Sequence, residues 1–511
     1  MQFFMILKDI VRAVSLQFAV VLAIFLQPQL GLGQERPSII LIMADDLGVG
    51  DVSCYGSKTI VTPGFDRLAK EGLRFTQAYA TAATCTPSRY SLLTGRYPFR
   101  NHKAQVLPGD APLLIDPERP TLPAALRERG YVTGVVGKWH LGLGLGDVDW
   151  NKHISPGANE VGFDYSFLLP ATNDRVPNVY VENGRVQGLL SLDPLEVNYN
   201  QNYPGEPTGK DHPHLLKMLP SHGHDMSINN GISRIGYQRG GKTAQWIDEN
   251  MADTFLERSL QFVRTHRRQP FFLFYSLHQP HVPRLPHPRF AGKSGMGPRG
   301  DVILEADWCV SEFLKELDKL GLTQKCLIIF TSDNGPVLDD GYEDEAVTKA
   351  GKHDPRAGLR GGKYSLFDGG THVPFLLRWP GRVKPGTSPA LISQHDLAMS
   401  LLALVGGNYA EPDGQNVLPA LLGRSSKGRE ELALMGAGQK VILRHKNWVY
   451  LPAYPGQAVA PFVNIELGHA DQPMLFNLKS DFRQQNNIAH KNPARVKRMQ
   501  TRLAEISGTK L

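Results

Sequence analysis

Four short runs constrain this chain more than any other feature. Ser38–Met43 (SIILIM), Val132–Val136, Phe271–Leu277 and Leu327–Thr331 are apolar, β-rich and too short for helices, so each predicts a buried strand. Between them lie stretches with helical spacing of apolar residues, at Thr121–Arg129, Ala252–His266 and Ile303–Leu320. Such alternation predicts an α/β fold, a large mixed and mostly parallel sheet sandwiched by helices. Each of the four strands also ends in reactive polar residues: Asp45 and Asp46, Lys138 and His140, His278 and His281, Asp333 and Asn334. Open α/β sheets bind ligands beyond the carboxyl ends of their strands. Four segments far apart in sequence are therefore expected to deliver side chains to one crevice.

The rest of the chain arranges itself around that frame. Residues from about 145 to 250 are rich in Gly, Pro, Asn and His and read as insertions around the site. After about residue 390 the pattern changes. Asp396–Val405 predicts a helix, Val441–Leu451 and Met474–Leu478 short strands, and Pro493–Ile506 an amphipathic helix. A catalytic unit over residues 34–390 and a smaller C-terminal α+β subdomain over 391–511 are expected. At the N-terminus, Lys8 and Arg12 precede the apolar run Ala13–Leu26, and Gly31 and Gly33 follow. This predicts a signal peptide over residues 1–33, hence a secreted or periplasmic product with no stable membrane span.

Composition narrows the partners. The net charge of +7 favours polyanions. No dense Lys/Arg run carries interleaved aromatics and no zinc-finger spacing occurs, so nucleic acid is not an expected partner. Four cysteines are too few for a disulfide scaffold; Cys309 and Cys326 either pair or remain buried thiols.

Cys85 stands apart because of its neighbours. Cys85-Thr86-Pro87-Ser88-Arg89 predicts the opening of a helix that runs to Thr94 and stops at Gly95, with Pro in the first turn. Free N–H groups and the helix dipole there favour an anion. A cysteine at that place is expected to be acidified, a candidate thiolate nucleophile. Arg89 would pair with an oxyanion or hold Cys85 in place. A cysteine hydrolase would use His140 as base, but the two acidic pairs would then have no purpose.

Cys-x-Pro-x-Arg at 85–89, continued by Ser88–Arg96 (SRYSLLTGR), resembles the sequence that marks a sulfatase cysteine for oxidation to formylglycine. Gly130–Gly142 (GYVTGVVGKWHLG) resembles the second sulfatase motif along its whole length, and Leu475–Ala489 the family's closing strand and turn. The resemblance implies an alkaline-phosphatase-like fold, and a Ca²⁺ ion held by Asp45, Asp46, Asp333, Asn334 and the modified Cys85. Oxygen-only partners suit that hard cation better than zinc. It further implies that Lys138 and Lys363, the latter in LRGGKYS, bind the sulfate. His140 takes the proton of the attacking hydroxyl, and His281 (in PHVP) protonates the leaving oxygen. In that chemistry one hydroxyl of the formylglycine hydrate attacks sulfur, and the other expels sulfate to regenerate the aldehyde. A formylglycine-generating maturation enzyme is an implied partner.

Substrate recognition is expected from the long insertion. Asn173-Asp174-Arg175 and His222–Asp225 are candidates to bind sugar hydroxyls, and His278 is a supporting residue beside the acid. The texture of Asn151–Lys242 is similar to that of microbial glycan sulfatases and points to a galactose- or N-acetylgalactosamine-type sulfate. Two other readings stand beside this one. A phosphonate or phosphate monoester hydrolase of the same superfamily would share the metal site. A non-catalytic glycan-binding protein would lack part of the constellation, which is complete here.

Overall fold

The computed structural model describes residues 36–410 and 412–508; the signal-peptide reading lies outside them. β1 (Ser38–Ala44) runs through the middle of the molecule. Its side chains alternate between two apolar clusters, Ile39, Leu41 and Met43 on one face and Ile40, Ile42 and Ala44 on the other. All six are fully buried. A strand covered on both faces carries no polar alternate, which is why it shows in sequence as a continuous apolar run.

Nine more strands complete the main sheet. They are β2 (Leu73–Phe75), β3 (Val132–Lys138), β4 (Tyr165–Leu169), β5 (Val181–Glu182), β6 (Arg185–Val186), β7 (Phe271–Ser276), β8 (Cys326–Ser332), β9 (Phe375–Arg378) and β10 (Gly386–Ser388). Their spatial order is β10-β2-β9-β8-β1-β7-β3-β4-β5-β6. The central five, β8-β1-β7-β3-β4, are parallel. Antiparallel pairs join them to β9 on one side and β5 on the other. The four strands expected from sequence are thus consecutive neighbours at the centre, and their carboxyl ends emerge together.

Helices cover both faces. α1 (Cys85–Thr94) and α4 (Asp396–Leu404) contribute Leu92, Leu93, Leu397 and Leu401 to the first cluster. α2 (Met251–His266) and α3 (Gly297–Lys319) contribute Phe255, Val263, Val310 and Phe313 to the second. Truncating one such residue to Ala would cost about 2–5 kcal/mol. α1 ends where Gly95 takes φ +65; a Cβ there would stand 3.2 Å from the Ala398 side chain, so the glycine both turns the chain and admits α4.

C-terminal to these, β11 (Glu431–Met435), β12 (Val441–His445), β13 (Trp448–Leu451) and β14 (Met474–Asn477) form a separate antiparallel sheet. α5 (Pro493–Ser507) packs Met499 and Leu503 into its core, which also receives Leu366 and Phe367 from beside Lys363. The single strand expected over Val441–Leu451 is a hairpin. His445 pairs with Trp448 across the two-residue turn Lys446–Asn447, and Lys446 adopts φ +53. The helix expected from Ile303 starts earlier, at Gly297, with Pro298 in the first turn where its missing N–H costs nothing. The loop-rich 145–250 stretch also supplies β4, β5 and β6 to one sheet edge. Cys309 and Cys326 are buried free thiols. Among the described residues, no helix is long and apolar enough to cross a membrane.

Candidate active site

The strand ends meet around Cys85. Asp45 and Asp46 leave β1, Lys138 ends β3, and Asp333 and Asn334 follow β8; all are 0–1% exposed, and Cys85 is 2% exposed. One ligand atom from each of Asp45, Asp46, Cys85 and Asp333 lies within 4.8 Å of the others. The Cys85 thiol donates to Asp45 Oδ1 over 3.6 Å. Asp46 adopts φ +64, and its N–H donates to Asp333 Oδ1 (3.2 Å). Asn334 Nδ2 donates to Asp46 Oδ1 (2.7 Å) and to Gly335 O (2.9 Å), while its Oδ1 is buried with no partner.

Cations surround this acidic group. Lys138 Nζ donates to Asp45 Oδ2 (2.5 Å), and Lys363 Nζ to Asp46 Oδ2 (2.8 Å) and Asp340 Oδ2 (2.7 Å). Arg89 is fully buried. Its Nε donates to Asp333 Oδ2 (2.9 Å) and its Nη1 to Ser276 Oγ (2.6 Å) and Lys138 O (3.2 Å). It therefore braces the acidic group from behind rather than lining the crevice.

Electrostatics show what this donor set would hold. Burial, opposed by Lys138 but reinforced by Asp333 and Asp46, pushes the Asp45 carboxyl well above its usual range. Burial likewise raises Asp46 against the pull of Lys363. Burial also works against Asp333, but Arg89 and Lys138 hold it below the usual value. Asp45 and Asp46, the two acids that burial makes hard to ionise, would gain from a further cation. Three acids, an unpartnered amide oxygen and only one sulfur form a donor set that fits a hard divalent metal.

The acidified thiol expected at the helix N-terminus is not what forms. Burial, countered by Lys138 but aided by Asp333 and Asp45, drives the Cys85 thiol well above its ordinary value. An unmodified Cys85 is thus a neutral thiol at physiological pH, which removes the support for a cysteine hydrolase.

Cys85 opens into a cavity lined by His140, His281, Lys363, Tyr364, Asp174, Arg175, His224, Asp340 and Val106. His140 adopts φ +53, and its Nε2 lies 3.0 Å from Leu107 O, leaving Nδ1 buried without a partner. Burial, Lys138 and Arg175 keep its pKa well below the ordinary value. His281 behaves alike through burial, Lys363 and Lys138; its Nε2 lies 3.8 Å from Asp46 Oδ2 and its Nδ1 2.6 Å from Val282 O.

On the far wall, Asp174 pairs with Arg175 Nη1 (2.7 Å) and with His224 Nε2 (2.9 Å). Burial opposes its charge, but Arg175 and His224 hold Asp174 well below the usual carboxylate range. Asp174 and Arg175, expected from sequence, thus reach the cavity. His278 does not: its ring lies edge-on to Phe255, and burial lowers its pKa to about 3. Asp340, Tyr364 and Val106 line the cavity without having been expected there. Asp340 also accepts from Tyr364 Oη (2.9 Å), and Tyr364 stands at φ +78 immediately after Lys363. An acidic pair six residues after Asp333-Asn334 was the only local signal.

The profile of the sulfatase family matches residues 37–407. An N-acetylgalactosamine-6-O-sulfatase of Bacteroides thetaiotaomicron is 47% identical over 480 residues, covering 93% of this chain and 94% of the relative. Human arylsulfatase A is 33% identical over 419 residues, covering 79% and 71%. A solved Bacteroides thetaiotaomicron structure, described with the metabolism of multiple glycosaminoglycans, superposes with a TM-score of 0.92 at 46% identity, covering 93% of this chain and all of that one.

Proposed function

The chain belongs to the sulfatase family, a sulfuric ester hydrolase acting on sulfated glycans, and from that premise we propose that it removes the 6-O-sulfate of an N-acetylgalactosamine- or galactose-type sugar. The observation that carries this reading is the 47% identity to a named N-acetylgalactosamine-6-O-sulfatase along 93% of the chain. We take the enzyme to be exported, on the N-terminal apolar run and the glycan substrate.

In this proposal Asp45, Asp46, Asp333, Asn334 and the side chain at 85 would hold Ca²⁺, which would supply positive charge to the bound sulfate ester. Were Cys85 converted to formylglycine by a maturation enzyme, its hydrate would offer one hydroxyl to attack sulfur and a second whose loss of a proton would expel sulfate and restore the aldehyde. The remaining work falls to the chain itself. Lys138 and Lys363 face the equatorial oxygens with their ammonium groups and stabilise charge that spreads there in the transition state. His281 donates a proton to the leaving sugar oxygen, and His140 holds the proton taken from the attacking hydroxyl. Arg89 fixes Asp333 and the first turn of α1. Asp174, Arg175 and His224 bind hydroxyls of the sulfated ring, and Asp340 orients Lys363.

The test is free sulfate released from N-acetylgalactosamine 6-sulfate, its 4-sulfate isomer and glucosamine 6-sulfate. The protein would come from a host able to make formylglycine, with Cys85→Ala alongside. Release from the 6-sulfated galacto-configured sugar, lost in the variant, supports the proposal. Preference for the 4-sulfate or for glucosamine, with conversion of Cys85 shown by peptide mass, overturns it.

A further inference from the structure

A sugar that presents its sulfate to Cys85 fills the cavity with its own ring, so the next ring of a glycan lies outside the mouth. Two elements from distant parts of the chain meet next to that mouth. One is the loop around His222. The His222 carbonyl accepts from His224 Nδ1 (3.0 Å), and His224 is itself a cavity wall bonded to Asp174. The other is the hairpin of Val459–Ala460 and Ile465–Glu466, whose connecting turn carries Phe462. That hairpin is tied to the segment following Lys363: Ser365 Oγ donates to Glu466 O (2.5 Å) and Leu366 N to Leu467 O (2.9 Å).

Where they meet, the Phe462 ring stacks on the His222 imidazole, with centroids 5.0 Å apart and planes 18° from parallel. The His222 ring is 6.2 Å from that of His224. Phe462 is nevertheless 68% exposed, so the ring face turned away from His222 is left to water. A phenylalanine buried for packing would not end a hairpin in this state. Polar groups edge the stack: Ser221 Oγ lies 3.0 Å from His222 Nδ1 and donates to Asp339 Oδ1 (2.7 Å). An open aromatic face with hydroxyl and carboxylate groups at its rim suits a pyranose, whose C–H face meets the negative π-face while its hydroxyls reach the rim.

We propose that Phe462, backed by His222, is a second saccharide subsite that receives the ring glycosidically joined to the sulfated sugar. This rests on the proposed glycan sulfatase activity and extends it to substrate length. The subsite contributes binding of the second ring and takes no part in bond cleavage.

The test compares kcat/KM on the 6-sulfated sugar as a monosaccharide and as a disaccharide, for the unaltered enzyme, Phe462→Ala and Phe462→Trp, with Tm recorded for each. Loss of one stacking aromatic is worth about tenfold in affinity. The disaccharide-to-monosaccharide preference should fall about tenfold in F462A, through KM with kcat kept, and should persist in F462W. An unaltered enzyme without preference for the disaccharide, or a preference unchanged in F462A, overturns the subsite and leaves the proposed activity standing. Absence of sulfate release from both sugars by the unaltered, converted enzyme overturns the activity and the subsite with it.

Discussion

Asp51 gives the sharpest test of how this fold tolerates buried charge. It is fully buried in the turn just after Asp45 and Asp46. Arg299 of α3 grips it with Nη1 to Oδ1 and Nη2 to Oδ2, both 2.7 Å. His353, on the loop leading to Lys363, adds Nε2 to Oδ1 at 2.7 Å. Burial opposes the charge, yet Arg299 and His353 lower the carboxyl pKa from the ordinary 3.8 to about 2. At 1.36 kcal/mol per unit, that difference stands for about 2 kcal/mol. For a depressed acid, this stability is present above about pH 4 and is lost as pH falls towards 2. Arg299→Met keeps much of the side-chain volume but strands the carboxylate, at an expected cost of about 3–5 kcal/mol at pH 7. Burial then pushes the pKa of Asp51 upward, so the deficit should shrink as pH drops from 7 to 4. Adding Asp51→Asn removes the stranded charge and should recover at least half of the loss. Urea unfolding followed by tryptophan fluorescence reads all three proteins. A deficit under about 1 kcal/mol in the single variant, or a double variant no more stable than the single one, would refute the reasoning.

Three further outcomes follow from the site. Lys363→Ala should lower kcat/KM on the sulfated sugar by about 10²–10³, the usual cost of one lost transition-state donor; a loss below tenfold would remove Lys363 from the sulfate contacts. Dialysis against a calcium chelator should abolish sulfate release and lower Tm, because burial leaves Asp45 and Asp46 poorly compensated; an unchanged Tm would count against a metal held by these acids. Burial, Lys363 and Lys138 keep the pKa of His281 below its ordinary value of 6.5. If it acts as the acid, kcat/KM must fall as pH rises through that depressed value, whereas kcat should hold to higher pH once the bound sulfate ester favours the protonated ring. A kcat/KM that is flat from pH 5 to 8 would exclude His281 as the proton donor.

The elements legible in sequence were those whose signal is local. The four central strands show as unbroken apolar runs because both of their faces are covered. Thr84–Gly95 declares its helix through a proline in the first turn and a glycine stop. Convergence of the strand ends follows from parallel topology, so the acids, Lys138 and His281 could be placed together from the sequence, whereas Lys363 came only through the resemblance of its LRGGKYS block to the sulfatases. What escaped depends on partners far along the chain. The acidity of Cys85 was misjudged because a helix N-terminus is a local argument, whereas burial and the charge of Asp333 and Asp45 decide the outcome. Asp340 sits in Asp339-Asp340-Gly341, a pattern that a plain turn writes equally well. Only its bond to Lys363, 23 residues on, makes it part of the site. β4 was lost among turns because five residues between Gly- and Pro-rich segments carry no periodicity of their own.

The position of β1 has a consequence in time. Its partners on both sides are β7 and β8, so the strand stays unsatisfied until roughly 290 further residues have been made, an interval of roughly 15–60 s at ordinary synthesis rates. Through that interval a wholly apolar segment and the newly made Cys85 are both without a sheet to bury them. Cys85 is 2% exposed in the folded protein, so a protein that acts on it has its best access before the sheet closes. On the proposed conversion of Cys85, a maturation enzyme competes with the docking of β8, and conditions that hasten folding should leave more of the protein with an untouched thiol.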